Sequence, residues 1–248
     1  MPGTARPDLV KPDAAKSGPE LRRYPDAGSL TSALADDIVQ ALADGLRARG
    51  RASLVVSGGR SPTALFETLS TAALDWSRMW VALTDERWVD ASSSDSNEQL
   101  VRAHLLRNAA ANAHFVGMKT DAPDPAAAAD RCWSAIAALP RPFDYTLLGM
   151  GDDGHTASLF PHSPGLAAAI DAQAPPGCVA MIAPVAPQAR MSLNLAALLD
   201  SRRIGILIMG SGKWATYERA ASAGPVNEMP VRAILRQRQV PLTVHWSP

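Results

Sequence analysis

The apolar residues in the first third of the chain follow two different rhythms. Leu30, Leu34, Ile38, Leu42 and Leu46 recur every fourth position, which keeps them along one helix face, and Gly50 is placed to close that helix. Next comes ASLVVS (52–57), a short apolar, β-branched run halted by Gly58 and Gly59. PTALFETL then starts a helix, with Pro62 at a position that proline tolerates. The alternation continues with strand MWVALT (79–84), helix SNEQLVRAHLLR (96–107), strand HFVGM (114–118), helix DPAAAADRCWSAIAAL (124–139) and strand FDYTLLGMG (143–151). After a Pro/Ala/Gly-rich stretch near 164–178 come CVAMIAPV, RMSLNLAALL, strand RRIGILIMG (202–210), a helix from Ser211 and a last strand, VPLTVHW.

Near-continuous apolar strands alternating with helices predict an α/β fold of three layers, a mostly parallel sheet with helices on both faces. The 248 residues suit one large domain, and neither a linker nor a repeat interrupts them. We therefore expect a single α/β catalytic domain over 20–248. Residues 1–19, with four prolines and little large apolar surface, are expected to form a flexible tail.

Charge narrows the partners. Lys and Arg number 24, as do Asp and Glu, so no net field draws the chain to nucleic acid or an anionic membrane, and a small molecule is the expected ligand. No apolar run has the length of a membrane span, and the first residues lack the apolar core of a signal peptide. Cys132 and Cys178 are too few for a disulfide framework, which fits a cytoplasmic location. The oligomeric state is left at monomer or small homo-oligomer.

Candidate chemistry gathers where strands end. LLGMGDDGHTASLFP (147–161) carries Gly149, Gly151 and Gly154 in the order G-x-G-x-x-G, yet Asp152 and Asp153 put negative charge where a dinucleotide's pyrophosphate would sit. Asp171, at the spacing of a ribose-binding carboxylate, lies in a stretch that is not strand-like, so no dinucleotide cofactor is expected. What the glycines present instead is Asp153 and His155. One reading is a general base with a carboxylate to orient it; the other is an Asp capping a helix at HTASLF beside a surface His.

Three further loops add to this one. Ser57, Gly58, Gly59, Arg60 and Ser61 stand before a helix start, where backbone amides converge on an anion. Asp85, Glu86 and Arg87 follow a third strand, as a functional cluster or a solvated turn. Gly210 and Gly212 flank Ser211 ahead of Lys213 at a helix start, where a cation opposes the dipole and needs a compensating anion or an outward pose. Arg190, ahead of MSLNLAALL, is counted with these strand-end cations. Together they describe a pocket for a small phosphorylated substrate undergoing acid/base chemistry without a metal. Asp153, His155 and His162 are close in sequence, but no H-E-x-x-H or Cys/His cluster is present. No G-x-S-x-G elbow or Walker loop occurs.

SGGRSP, TDERWV with SN at 96–97, GMGDDGHTASLFP and GSGKW, in this order over about residues 52–215, resemble the 6-phosphogluconolactonase family. The resemblance implies a modified Rossmann-like fold shared with glucosamine-6-phosphate isomerase, and hydrolysis of 6-phospho-D-glucono-1,5-lactone to 6-phospho-D-gluconate in the oxidative pentose phosphate pathway. It implies no cofactor. The sister deaminases typically read DGHIAFNEP, with a catalytic Glu five residues beyond the His; here that position is Phe160, which cannot relay a proton. On this reading His155 is the base and Asp153 orients it or its loop. Ser57 to Ser61, Gly151, Arg190 and Lys213 serve the substrate and its phosphate, Arg87 faces either the phosphate or the lactone, and Asp85 lies nearby with its part open. A sugar-phosphate-binding regulator on the same fold is the non-enzymatic alternative.

Overall fold

The computed structural model describes residues 18–184 and 189–248; residues 1–17, most of the expected tail, lie outside them. The elements in chain order are β1 (Glu20–Arg23), α1 (Ala27–Arg49), β2 (Ala52–Val56), α2 (Thr63–Ser70), β3 (Met79–Leu83), β4 (Asp85–Arg87), α3 (Asn97–His104), β5 (His114–Val116), α4 (Pro125–Ala137), β6 (Tyr145–Gly149), α5 (Leu166–Ala169), β7 (Cys178–Ile182), β8 (Ala189–Leu193), α6 (Leu195–Leu199), β9 (Ile204–Met209), α7 (Ser211–Ala221), α8 (Val231–Arg236) and β10 (Leu242–Ser247).

α1 forms as its pattern predicts. Asp26 caps it by accepting from the Ser29 amide at 2.7 Å, and Gly50 closes it at φ 71°, its amide bonded to the Leu46 carbonyl. Leu30, Leu34, Ile38 and Leu42 are fully buried, each worth about 1.5–3 kcal/mol against exposure.

Seven strands make one all-parallel sheet in the order β1-β10-β9-β6-β2-β3-β5. From β2 the chain winds outward through β3 to β5; from β6 it winds the other way through β9 to β10. The reversal falls between the neighbours β2 and β6, and their carboxyl ends open a crevice of the kind where ligands bind in open α/β sheets.

Three features depart from the sequence expectation. CVAMIAPV and the first half of RMSLNLAALL do not continue the alternation: β7 and β8 pair antiparallel with each other and with β4 in a second, three-stranded sheet. Asn194 divides the latter run, since its side chain caps α6 through the Ala197 amide and leaves Ala189–Leu193 free to be a strand. HTASLF is not a helix either. Ala157 sits at φ 48°, and Thr156 Oγ1 turns back to the Gly149 carbonyl at 2.9 Å, so the segment is a chain of turns buried among its neighbours. Finally, β1 pairs with β10 at the sheet edge although ELRR has no apolar rhythm; strand pairing, not burial, makes it a strand.

Candidate active site

A cavity of about 380 Å³ opens over the β2/β6 switch, within the size range of small-ligand pockets. Of the residues expected there, Ser57, Gly58, Gly59, Arg60, Ser61, Asp85, Arg87, Gly151, His155 and Lys213 line it. Asp153 and Arg190 do not. Across the adjacent strand ends the order is Lys213 after β9, the His155 loop after β6, the SGGRSP loop after β2 and the Asp85 segment after β3.

The loop after β6 is tied by its own backbone. The Gly151 amide donates to the His155 carbonyl at 2.8 Å, and the Gly154 amide to the Gly151 carbonyl at 3.1 Å, with Gly154 at φ 82°. Inside this turn Asp153 Oδ1 accepts from the His155 amide at 3.0 Å and lies 2.6 Å from His155 Nδ1. A carboxylate facing Nδ1 assigns the proton to that nitrogen and leaves the Nε2 lone pair available. Burial raises the Asp153 carboxyl, but the His155 hydrogen bonds and charge outweigh it and hold the group below the usual aspartate range. Phe160 lies against the imidazole, ring centroids 4.7 Å apart and tilted by 50°. His155 therefore has a fixed ring with one basic nitrogen, whereas the capping alternative lacks its helix. His162 is exposed and outside the cavity.

The SGGRSP loop supplies donors. The amides of Gly58, Gly59, Arg60 and Ser61 donate to no carbonyl among the described residues, and the loop leads into the first turn of α2. A Cβ at Gly58 would meet Asn97 Oδ1 at 1.9 Å and displace the side chain whose Nδ2 donates to the Asp85 carbonyl.

The solvated-turn alternative fails for Asp85 and Glu86, both buried. Glu86 accepts from the Arg87, Asn97 and Glu98 amides and from Ser96 Oγ, which fastens β4 to the start of α3; burial pushes its carboxyl up, and these hydrogen bonds oppose the shift. Asp85 takes Thr84 Oγ1 at 3.0 Å on one oxygen and Ser158 Oγ at 2.7 Å on the other, and Thr84 Oγ1 lies 2.7 Å from Ser57 Oγ. Since the Thr84 proton goes to the carboxylate, Ser57 donates to Thr84. This hydroxyl chain links three loops, and it presents the Asp85 acceptor to the cavity.

Arg190 requires a correction: it belongs not to a strand-end loop but to β8, in register opposite Arg87 of β4. It is buried, and its Nε and one terminal nitrogen find no hydrogen-bond partner among the described residues. Burial and the neighbouring Arg87 depress its pKa. Two guanidinium groups facing each other across strands repel. Lys213, in contrast, has the compensating anion that its helix position demands, since Asp152 Oδ1 lies 2.9 Å from its Nζ.

Sequence reasoning passed over Asn97 as a wall residue and Ser158 as a partner of Asp85; SN was visible as a motif, but nothing local marks a serine that meets its carboxylate 73 positions away. Among the described residues no group of three or more His, Cys, Asp or Glu is arranged to hold a metal ion, and no helix is long and apolar enough to cross a membrane.

The family model described as glucosamine-6-phosphate isomerases/6-phosphogluconolactonase matches residues 25–246. The chain belongs to this family. A 6-phosphogluconolactonase of Pseudomonas aeruginosa is 46% identical over 232 residues, covering 94% of this chain and 96% of that protein. The crystal structure of a 6-phosphogluconolactonase from Shewanella baltica superposes with a TM-score of 0.90 at 42% identity, covering 95% of this chain and all of the other. A monomeric glucosamine-6-phosphate deaminase shares the fold, TM-score 0.76 over 92% of this chain and 97% of that one, at 16% identity. These likenesses put the chain among the enzymes of the family and on its lactonase side.

Proposed function

We propose that the protein hydrolyses 6-phospho-D-glucono-1,5-lactone to 6-phospho-D-gluconate, with His155 as the base and no metal. The observation that carries this reading is His155 in the cavity wall, its Nδ1 held by Asp153 and its Nε2 without a partner among the described residues, beside a loop whose amides donate to no described carbonyl and suit phosphate. A lactone carbonyl is already electrophilic, so positioning water, removing its proton and stabilising the oxyanion suffice. Nε2 takes the proton of a water attacking C1. The tetrahedral intermediate then collapses with cleavage of the bond from C1 to the ring oxygen, and the imidazolium returns the proton to that oxygen. The phosphate spans the amides of residues 58–61 and Lys213, which flank the His155 loop on either side. Arg87, inside the cavity and on the far side of β2 from β6, faces the lactone end, with Arg190 adding positive charge behind the cavity wall. Asp85 accepts from the sugar hydroxyls.

Forming the lactone in place by oxidation of glucose 6-phosphate, with chelator present, and following its disappearance against the spontaneous rate tests the proposal. Fast chelator-resistant loss is expected, with no deamination of glucosamine 6-phosphate. In the same assay His155→Ala should lower kcat roughly 10²–10⁴-fold without unfolding the protein. Deamination would transfer the chain to the sister activity; binding without turnover would make it a regulator.

A further inference from the structure

The proposed activity leaves one charged residue of the glycine loop unused. Asp152 adds a carboxylate at the rim of a site that must receive a dianion, and it is paired with Lys213, the cation that the reading above gives to the phosphate. We propose that Asp152 is an internal competitor for Lys213: a phosphate that takes the lysine displaces this carboxylate, so Asp152 tunes the affinity for the phosphorylated substrate and for its phosphorylated, more anionic product. The inference rests on that reading of Lys213.

The local structure permits the exchange. The Asp152 side chain is 85% exposed, whereas Lys213 is 27% exposed. Exposed pairs are held weakly, so a phosphate with two charges and several acceptor oxygens outcompetes one carboxylate. The Asp152 backbone is held independently of its side chain, because its carbonyl accepts from Thr216 Oγ1 and from an Arg219 terminal nitrogen, each at 3.2 Å. The neighbouring turn closes through Gly151, Gly154 and His155. The carboxylate can swing away while Asp153 and His155 stay in place. While it is paired, it also offsets a cation that the N-terminal dipole of α7 disfavours. A residue that binds in one state and yields in the other costs the substrate affinity and speeds departure of the product.

The test measures competitive inhibition by inorganic phosphate and by 6-phosphogluconate, and KM for the phosphorylated lactone, in the full-length protein. Asp152→Asn is expected to tighten all three roughly two- to fivefold at low ionic strength, the size of an exposed ion pair, and the gain should fade in about 0.5 M salt. Asp152→Glu should restore parental values. If Asp152→Asn instead weakens inhibition by phosphate and by 6-phosphogluconate, the residue only supports the loop, and the proposal is overturned. In a Lys213→Ala background the Asp152→Asn effect should vanish, and its persistence would overturn competition in favour of repulsion at a distance. If Lys213→Ala weakens phosphate inhibition while Asp152→Asn does nothing, the competitor role alone fails. If Lys213→Ala itself changes nothing, the phosphate does not use Lys213, and both readings fail.

Discussion

At the scale of single residues, the place where Gly151 would carry a side chain is already occupied. A Cβ there would lie 2.1 Å from His155 Nδ1 and 2.6 Å from Asp153 Oδ1, so even one methyl group would displace the pair. Gly151→Ala is therefore expected to reduce kcat toward the level of His155→Ala, roughly 10²–10⁴-fold, with the far-ultraviolet circular dichroism of the parent; an unchanged kcat would mean that the observed ring position is not the reactive one. Asp153→Asn keeps an oxygen for the Nδ1 proton but removes the charge that stabilises the imidazolium. Its kcat should fall at least about tenfold and by less than that of His155→Ala, and equal losses would put Asp153 in the chemistry itself.

Among the elements, β4 does the most with the least chain. Three residues, Asp85–Arg87, pair with β8, hold the start of α3 through Glu86 and present Asp85 and Arg87 to the cavity. Glu86 has four donors on its two oxygens, and an amide in its place would set an NH₂ group against N–H groups. Glu86→Gln should destabilise the protein by about 1–3 kcal/mol, a fall in Tm of roughly 2–12 °C in a chain of this size, and should also raise KM as Arg87 and Asn97 lose their anchor. A Tm within a degree of the parent would show that the carboxylate is not required. The same element explains a limit of sequence reading: DER has no hydrophobic rhythm, and its strand character depends on β8, about a hundred residues later.

Across the whole molecule, the sheet edge that joins the first and last strands contains a group whose ionisation bears on stability. His245 in β10 is fully buried, 3.0 Å from the Tyr24 hydroxyl and 3.8 Å from Asp37. Burial lowers its pKa to about 4, against the opposing pull of Asp37. The unfolded chain protonates this side chain near its ordinary value of about 6.5, so as the pH falls the unfolded state takes up the proton first. The stability that a neutral His245 provides is complete above about pH 6.5, drains away between there and about pH 4, and has no further slope below. The span is on the order of 3 kcal/mol. Denaturant titrations from pH 7 to pH 4 should show this decline, and His245→Gln should flatten it; an equal slope in the variant would assign the acid sensitivity to other groups.

The alternation of β2, β3, β5 and β6 with their helices, the first helix with its closing Gly50 and the glycine loops at strand ends were legible because each depends on residues close together in the chain. Apolar spacing, cap residues and glycines act within a turn or two, and the same locality made the 6-phosphogluconolactonase resemblance readable in four short motifs. Position 160 belongs to that level as well: a phenylalanine stands five residues beyond the histidine, where the resemblance gives the sister deaminases a glutamate. The second sheet, the register that sets Arg190 opposite Arg87, and the bond from Ser158 to Asp85 were decided by the tertiary structure alone. Strand pairing and buried hydrogen bonds connect positions that share no local pattern. Whether RMSL extends or coils, and whether Asp85 faces water or the cavity, is settled by what packs against them from elsewhere in the chain.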